Sequence, residues 1–252
     1  MVGVSYHVFL LTNRNISLSF IKKEMYDKIN VVIPSRLPIS EKYDFVENLK
    51  ETSECDIFVF WIENPVGESL SVLYNDILDS EHINGNIIVF MHDDIEMLKK
   101  GWGKEILRLF NEHKDYGIIG VAGSGQFDEE CVWWNYPERY GQILYRSEGK
   151  EWIAAYSKLL KKDLQEVCVV DGVFMAVDKS RIKEYFDENI KGCVLYDNDF
   201  CLANYLTNET KVGVTTNIRL CHNSNDETKP EWDDNKEYII QKYEDKFPII
   251  IK

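Results

Sequence analysis

Short apolar runs alternate with amphipathic stretches along the first half of this chain. Residues 6–11 form an apolar run that predicts a strand, closed by Thr12-Asn13-Arg14, and 16–26 carry helical spacing. A second strand is expected over 31–33, stopped by Pro34, and a strongly apolar third over 56–62. Leu70, Leu73, Ile77 and Leu78 recur at helical intervals within 68–78. A buried strand follows over 87–90, then an amphipathic helix over 98–110 with Ile106, Leu107 and Phe110 on one face. A strand over 118–122 completes the series. Strand and helix in alternation predict an α/β fold with a mostly parallel central sheet and helices on both faces.

The second half is less regular. Residues 167–177 are β-rich and broken by Asp171-Gly172, and 199–206 predict a helix with Asp199 near its start. A strand over 212–220 leads into Cys221-His222, and a polar loop occupies 223–231. Asp233 or Asp234 is placed to cap a last helix that carries Tyr238, Ile239 and Tyr243. The tail, 247–251, is apolar enough to pack on the domain or to touch a partner. The expected organisation is one domain over 1–222, with a C-terminal loop and helix, 223–252, packed on it.

Composition narrows the function classes. At 252 residues and 44% hydrophobic, the chain can bury a sizeable core. A formal net charge of -14 argues against binding nucleic acid through its phosphates, and against an anionic lipid surface. The six cysteines form no C-x-x-C pair, which suits free thiols in a reducing cytoplasm. Residues 1–12 read as a strand rather than a signal peptide, and no apolar run reaches membrane-spanning length.

The strand over 87–90 ends in His92, Asp93 and Asp94, with Glu96 just beyond. Open α/β sheets bind ligands outside the carboxyl ends of their strands. Carboxylates there are costly to bury unless a cation neutralises them, and a divalent metal carrying a nucleotide diphosphate does so. A polar turn whose aspartate caps the next helix accounts for the segment equally well. Asp197-Asn198-Asp199 lies before a helix and His222 just past a strand. Together these residues suit Mn2+ or Mg2+. Taken singly, His222 is also an ordinary hydrogen-bonded histidine and Asp199 an ordinary N-cap. Gly120-Val121-Ala122-Gly123-Ser124-Gly125 lacks the dinucleotide-binding spacing and is expected to be a flexible strand-to-loop turn near the site. Trp133-Trp134 suits stacking on sugar faces, but core filling is the commoner use of adjacent indoles.

In this order, the segments resemble family 2-like glycosyltransferases with a GT-A fold, in a bacterial glycosyltransferase-like branch. The resemblance covers about 56–222. It rests on 69–75 with its Tyr-Asn pair, 89–95 as a version of the D-x-D motif, 117–124 followed by 132–134, then 170–176 and 186–188, and finally 196–202 as the E-D-x-D region. What it implies is a metal held by Asp94, a catalytic base at Asp197, and His222 at a C-terminal metal or diphosphate position. His92 replaces the first acid, and Tyr196 stands where many relatives have Glu. Donor binding falls to His92, Asp93, Asn75 and Gly172, and acceptor binding to Trp133, Trp134, Asp171 and Asp199.

The activity so implied is an inverting, metal-dependent transfer from a nucleotide-diphosphate sugar to a hydroxyl on a glycan or glycolipid, in cytoplasmic polysaccharide assembly. Two rivals stand beside it. A GT-A-like domain that binds sugar or a partner without catalysis is compatible with His92. A nucleotidyltransferase would need a Gly- and Lys/Arg-rich loop after the first strand, for which Thr12-Asn13-Arg14-Asn15 is a poor substitute.

Overall fold

The computed structural model describes residues 4–11, 28–156, 162–224 and 229–251. The helix expected over 16–26 and the Thr12–Asn15 turn lie outside the described residues. In chain order the elements are β1 (Ser5–Leu11), β2 (Lys28–Ser35), α1 (Tyr43–Ser53), β3 (Asp56–Glu63), α2 (Leu70–Leu78), β4 (Ile87–Met91) and β5 (Ile95–Met97). Then come α3 (Trp102–Glu112), β6 (Tyr116–Gly120), β7 (Ala122–Ser124), β8 (Gln126–Phe127), β9 (Arg139–Ser147), β10 (Lys150–Ala155), β11 (Gln165–Val167) and β12 (Val169–Val170). The chain closes with β13 (Phe174–Asp178), α4 (Tyr196–Leu206), β14 (Lys211–Val214), β15 (Leu220–His222), α5 (Trp232–Tyr243) and β16 (Ile249–Ile250).

The main sheet has eight strands in the order β1-β3-β2-β4-β13-β6-β14-β11. It is mixed, which corrects the mostly parallel sheet expected from the strand–helix alternation. The pairs β3/β2, β2/β4 and β6/β14 are parallel. The pairs β1/β3, β4/β13, β13/β6 and β14/β11 are antiparallel. Two of the antiparallel pairs come from β13, a strand from the second half that inserts in reverse between β4 and β6, and the other two from the edge strands β1 and β11. A second sheet runs β12-β7-β9-β15-β5 with β10 on β9, and β16 pairs with β8. The tail therefore packs on the domain, with Ile249 opposite Phe127.

Several boundaries move for local reasons. Pro34 does not end β2, because there only β3 flanks the strand and β4 has already diverged. Helix α3 begins at Trp102, since Gly101 takes a left-handed φ of 88° at its N-cap. The run expected over 118–122 divides at Val121 into β6 and β7, which belong to different sheets. Residues 120–125 are thus no flexible turn: Ala122, Gly123 and Ser124 are a buried strand between β12 and β9. The glycine at 123 is needed for that approach, since a Cβ there would lie 2.1 Å from the Val169 carbonyl. The strand expected over 212–220 is two strands, β14 and β15. Helix α5 is capped by neither Asp233 nor Asp234; Glu231 holds the N-cap position and both aspartates sit in the first turn. None of the six cysteines is in a disulfide.

Candidate active site

The site is built at the carboxyl end of β4, on an aromatic floor. Phe90 of β4 packs on Tyr74 of α2 with ring centres 4.4 Å apart, and Tyr74 meets the Tyr196 ring at 5.6 Å. Beneath them Phe186 stacks on Phe200 at 4.0 Å. This packing fixes the start of α4, where buried Leu195 adopts φ 64°. A left-handed leucine is a strained conformation held by its surroundings. It turns Tyr196 and Asp197 toward the strand end.

Three sequence-distant groups meet there. His222 Nε2 lies 3.2 Å from Asp94 Oδ1 and 3.4 Å from His92 Nδ1. One ligand atom from each of His92, Asp94 and His222 falls within 4.8 Å of the others. Asp94 Oδ1 is buried without a well-formed hydrogen bond. An orphaned carboxylate oxygen facing two imidazole nitrogens is a donor set that fits a divalent transition metal. Burial alone would raise the Asp94 pKa, but His222 and then His92 outweigh it and hold the carboxyl below its usual range. Burial, reinforced by His222, lowers the pKa of His92 and so favours the neutral, metal-binding ring.

Tyr196 contacts the outer nitrogen of His92. Its hydroxyl lies 3.3 Å from the Gly172 carbonyl, to which it donates, and 3.4 Å from His92 Nε2. Burial raises the Tyr196 pKa far above that of a free phenol, so it remains a donor. With its proton directed to Gly172, the hydroxyl oxygen is an acceptor for the Nε2–H tautomer of His92, the form whose Nδ1 lone pair would face Asp94 and His222. On the other side of the same glycine, the Gly172 N–H donates to Asp197 Oδ2 at 2.6 Å. Burial, and then Asp171, push the Asp197 carboxyl up to about 7. Asp171 is held by an Asx turn, accepting the Val173 N–H at 2.9 Å.

The remaining expected residues have other surroundings. Asp93 accepts from Ser35 Oγ at 2.5 Å and faces Lys42 Nζ at 3.5 Å, which ties the strand end to β2 and α1. Asn75 is buried and bonds both backbone groups of Phe186. Asp199 is not the N-cap of α4: it sits one turn inside, buried, and accepts from Lys242 at 2.8 Å and Tyr243 at 2.9 Å of α5. Trp133 is buried against Tyr156, with ring centres 4.8 Å apart, while Trp134 is 40% exposed and lies 6.2 Å from Trp232. The sequence reading missed Tyr196 as a bridge, although its place beside Asp197 was the available signal. It also missed Lys42, which nothing local marks.

A family profile described as the glycosyltransferase-like family matches residues 38–243, most of the chain. The chain belongs to this family. A comparison with curated proteins finds no match. Among solved structures, GalNAc-T7 with UDP, GalNAc and Mn2+ aligns at a TM-score of 0.53 and 10% identity, over 87% of this chain and 48% of that one. This chain thus spans about half the length of GalNAc-T7. A197 from STIV aligns at a TM-score of 0.46 and 15% identity, over 79% of this chain and 86% of that one. At such identities the GalNAc-T7 likeness establishes a GT-A-like α/β fold. No helix among the described residues is long and apolar enough to cross a membrane.

Proposed function

We propose that this chain transfers a sugar from a nucleotide-diphosphate donor to a hydroxyl of a glycan or glycolipid acceptor, with inversion, in cytoplasmic polysaccharide assembly. The observation that carries the reading is one continuous hydrogen-bonded path. It runs from the His92–Asp94–His222 cluster through Tyr196 and Gly172 to Asp197. One end suits a cation and the other suits a proton acceptor, as displacement of a diphosphate by a hydroxyl requires.

His92, Asp94 and His222 would hold Mn2+ or Mg2+, which when bound offsets the negative charge developing on the leaving diphosphate. Asp197 takes the proton of the attacking hydroxyl. A carboxyl with a pKa near 7 is better matched to that task than an ordinary aspartate. Gly172 orients its Oδ2 through the 2.6 Å bond, and Asp171 keeps the pocket acidic. Asp93 and Lys42 brace the donor side, where the carboxyl ends of β2 and β4 lie together.

A thermal-shift panel of UDP, GDP, dTDP and CMP, with and without Mn2+, on wild type and Asp94→Ala tests the reading. A metal-dependent rise in Tm with one nucleotide, lost in Asp94→Ala, is the expected result. No shift with any nucleotide would overturn it. Nucleotide binding without hydrolysis of any corresponding nucleotide sugar would favour a non-catalytic sugar-binding domain instead.

A further inference from the structure

The metal-ligand candidate His222 belongs to a row of side chains that crosses four strands. Ile95 of β5, His222 of β15, Tyr145 of β9 and Trp152 of β10 are direct partners in successive ladders. Direct partners project from the same face of a sheet. His222 faces Asp94 and His92, so Tyr145 and Trp152 stand on the face that carries the active site. The Tyr145 ring lies 5.6 Å from His222, and Trp152 stacks on Tyr145 at 5.5 Å with only 9° between the rings. Among the described residues β10 pairs only with β9, so the row ends at a sheet edge, with Trp152 40% exposed.

We propose that the Tyr145–Trp152 stack is a carbohydrate-binding platform for the acceptor, and that the acceptor is an oligosaccharide of at least two sugar units. Three observations argue for this occupant. The half-exposed indole that ends a ring stack at a sheet edge is a flat apolar surface on which the C–H face of a pyranose packs. The neighbouring residue Arg146 projects from the opposite face of β9, where Glu96 at 2.8 Å and Glu151 at 2.7 Å neutralise it, so it supplies no cation to the platform, which suits a neutral ring better than a phosphate. The platform also lies on the opposite side of β15 from β5, the strand that directly follows Asp93 and Asp94. Two inter-strand steps separate Trp152 from His222, roughly 10 Å, more than one sugar ring spans. A sugar seated on Trp152 therefore reaches the reacting centre only through a second unit. This inference rests on the proposed transferase reading.

The test is a glycan array of neutral mono- to tetrasaccharides, probed with the labelled 252-residue chain as wild type, Trp152→Ala, Trp152→Phe and Ile153→Ala. Ile153 is 59% exposed but lies on the opposite face of β10, so it controls for non-specific adhesion. Expected are wild-type binding to disaccharides and longer glycans, at least a tenfold loss in Trp152→Ala, retention within about threefold in Trp152→Phe, and no change in Ile153→Ala, consistent with aromatic stacking energies. Unchanged affinity in Trp152→Ala, equal binding of monosaccharides, equal loss in Ile153→Ala, or no wild-type binding would each overturn the proposal. Hydrolysis of nucleotide sugars by wild type separates the two ideas. Oligosaccharide binding through Trp152 without any donor hydrolysis keeps the platform and removes the transferase reading. Donor hydrolysis with full oligosaccharide affinity in Trp152→Ala does the reverse.

Discussion

The backbone N–H of Gly172 donates to Asp197 Oδ2 at 2.6 Å, and the same glycine's carbonyl accepts the hydroxyl of Tyr196. One residue, through its two flanking peptide units, thus holds the proton acceptor and, by way of Tyr196, contacts a cation ligand. Asp197→Asn keeps the acceptor oxygen for Gly172 but removes the base. Transfer should fall by roughly 10²- to 10⁴-fold while donor affinity changes little. In wild type, kcat/KM should fall about tenfold per pH unit below about 7, where Asp197 is protonated. Asp171→Asn removes the neighbouring carboxylate and should move that limb to lower pH. A limb that stays in place would remove Asp197 from the base position.

The same carboxyl makes a stability prediction of opposite sign. Its folded pKa, about 7, lies above the value of an unfolded aspartate. The folded state therefore loses stability as pH rises from near 4 to about 7, and the penalty is constant above that. Asp197→Asn has no such charge to bury. Its Tm advantage over wild type should be absent below pH 4, grow through this window and level off beyond pH 7. A pH-independent difference would mean that Asp197 is solvated like a surface acid.

Gly172 also serves by what it lacks. A Cβ there would sit 2.2 Å from the Tyr196 hydroxyl, 2.8 Å from its Cζ and 3.1 Å from Asp197 Cβ. Gly172→Ala should therefore cost about 1–3 kcal/mol of stability, an overpacking penalty read from urea unfolding. Tyr196→Phe removes the atom that is struck first. The double variant should recover part of the loss but not all, because the ring carbon and Asp197 remain in the way. Strict additivity of the two changes would show that they do not share this contact.

The apolar runs of β3, β4 and β6 and the helical spacing of α2 were legible because each is a local pattern with a local cause. Acids at the end of β4 likewise stood out, since ionised groups after a buried strand require explanation. Not legible were relationships across the sheet. The antiparallel insertion of β13 leaves no periodic trace, for an antiparallel and a parallel buried strand have the same apolar composition. Asp199 read as a helix cap because its partners, Lys242 and Tyr243, lie more than forty residues away. His222 and His92 are 130 residues apart, and only the fold makes them neighbours. The Tyr145–Trp152 stack depends on hairpin register, which spacing alone does not supply.

Tyr196 offers the sharpest test of how the cation site is organised. Its hydroxyl touches no proposed reacting atom, but as an acceptor for the Nε2–H tautomer of His92 it would keep Nδ1 bare toward Asp94. Partners of this kind fix ring orientation, and their removal typically weakens metal binding by roughly 10- to 100-fold. Tyr196→Phe should therefore lower Mn2+ affinity by that factor, measured by calorimetric titration of the purified chain, with the aromatic floor against Tyr74 preserved. His92→Ala should lower it at least as far, and adding Tyr196→Phe to His92→Ala should have little further effect, since both act through one imidazole. An undiminished Mn2+ affinity in Tyr196→Phe would assign the opposite tautomer to His92. The cation would then rest on Asp94 and His222 alone.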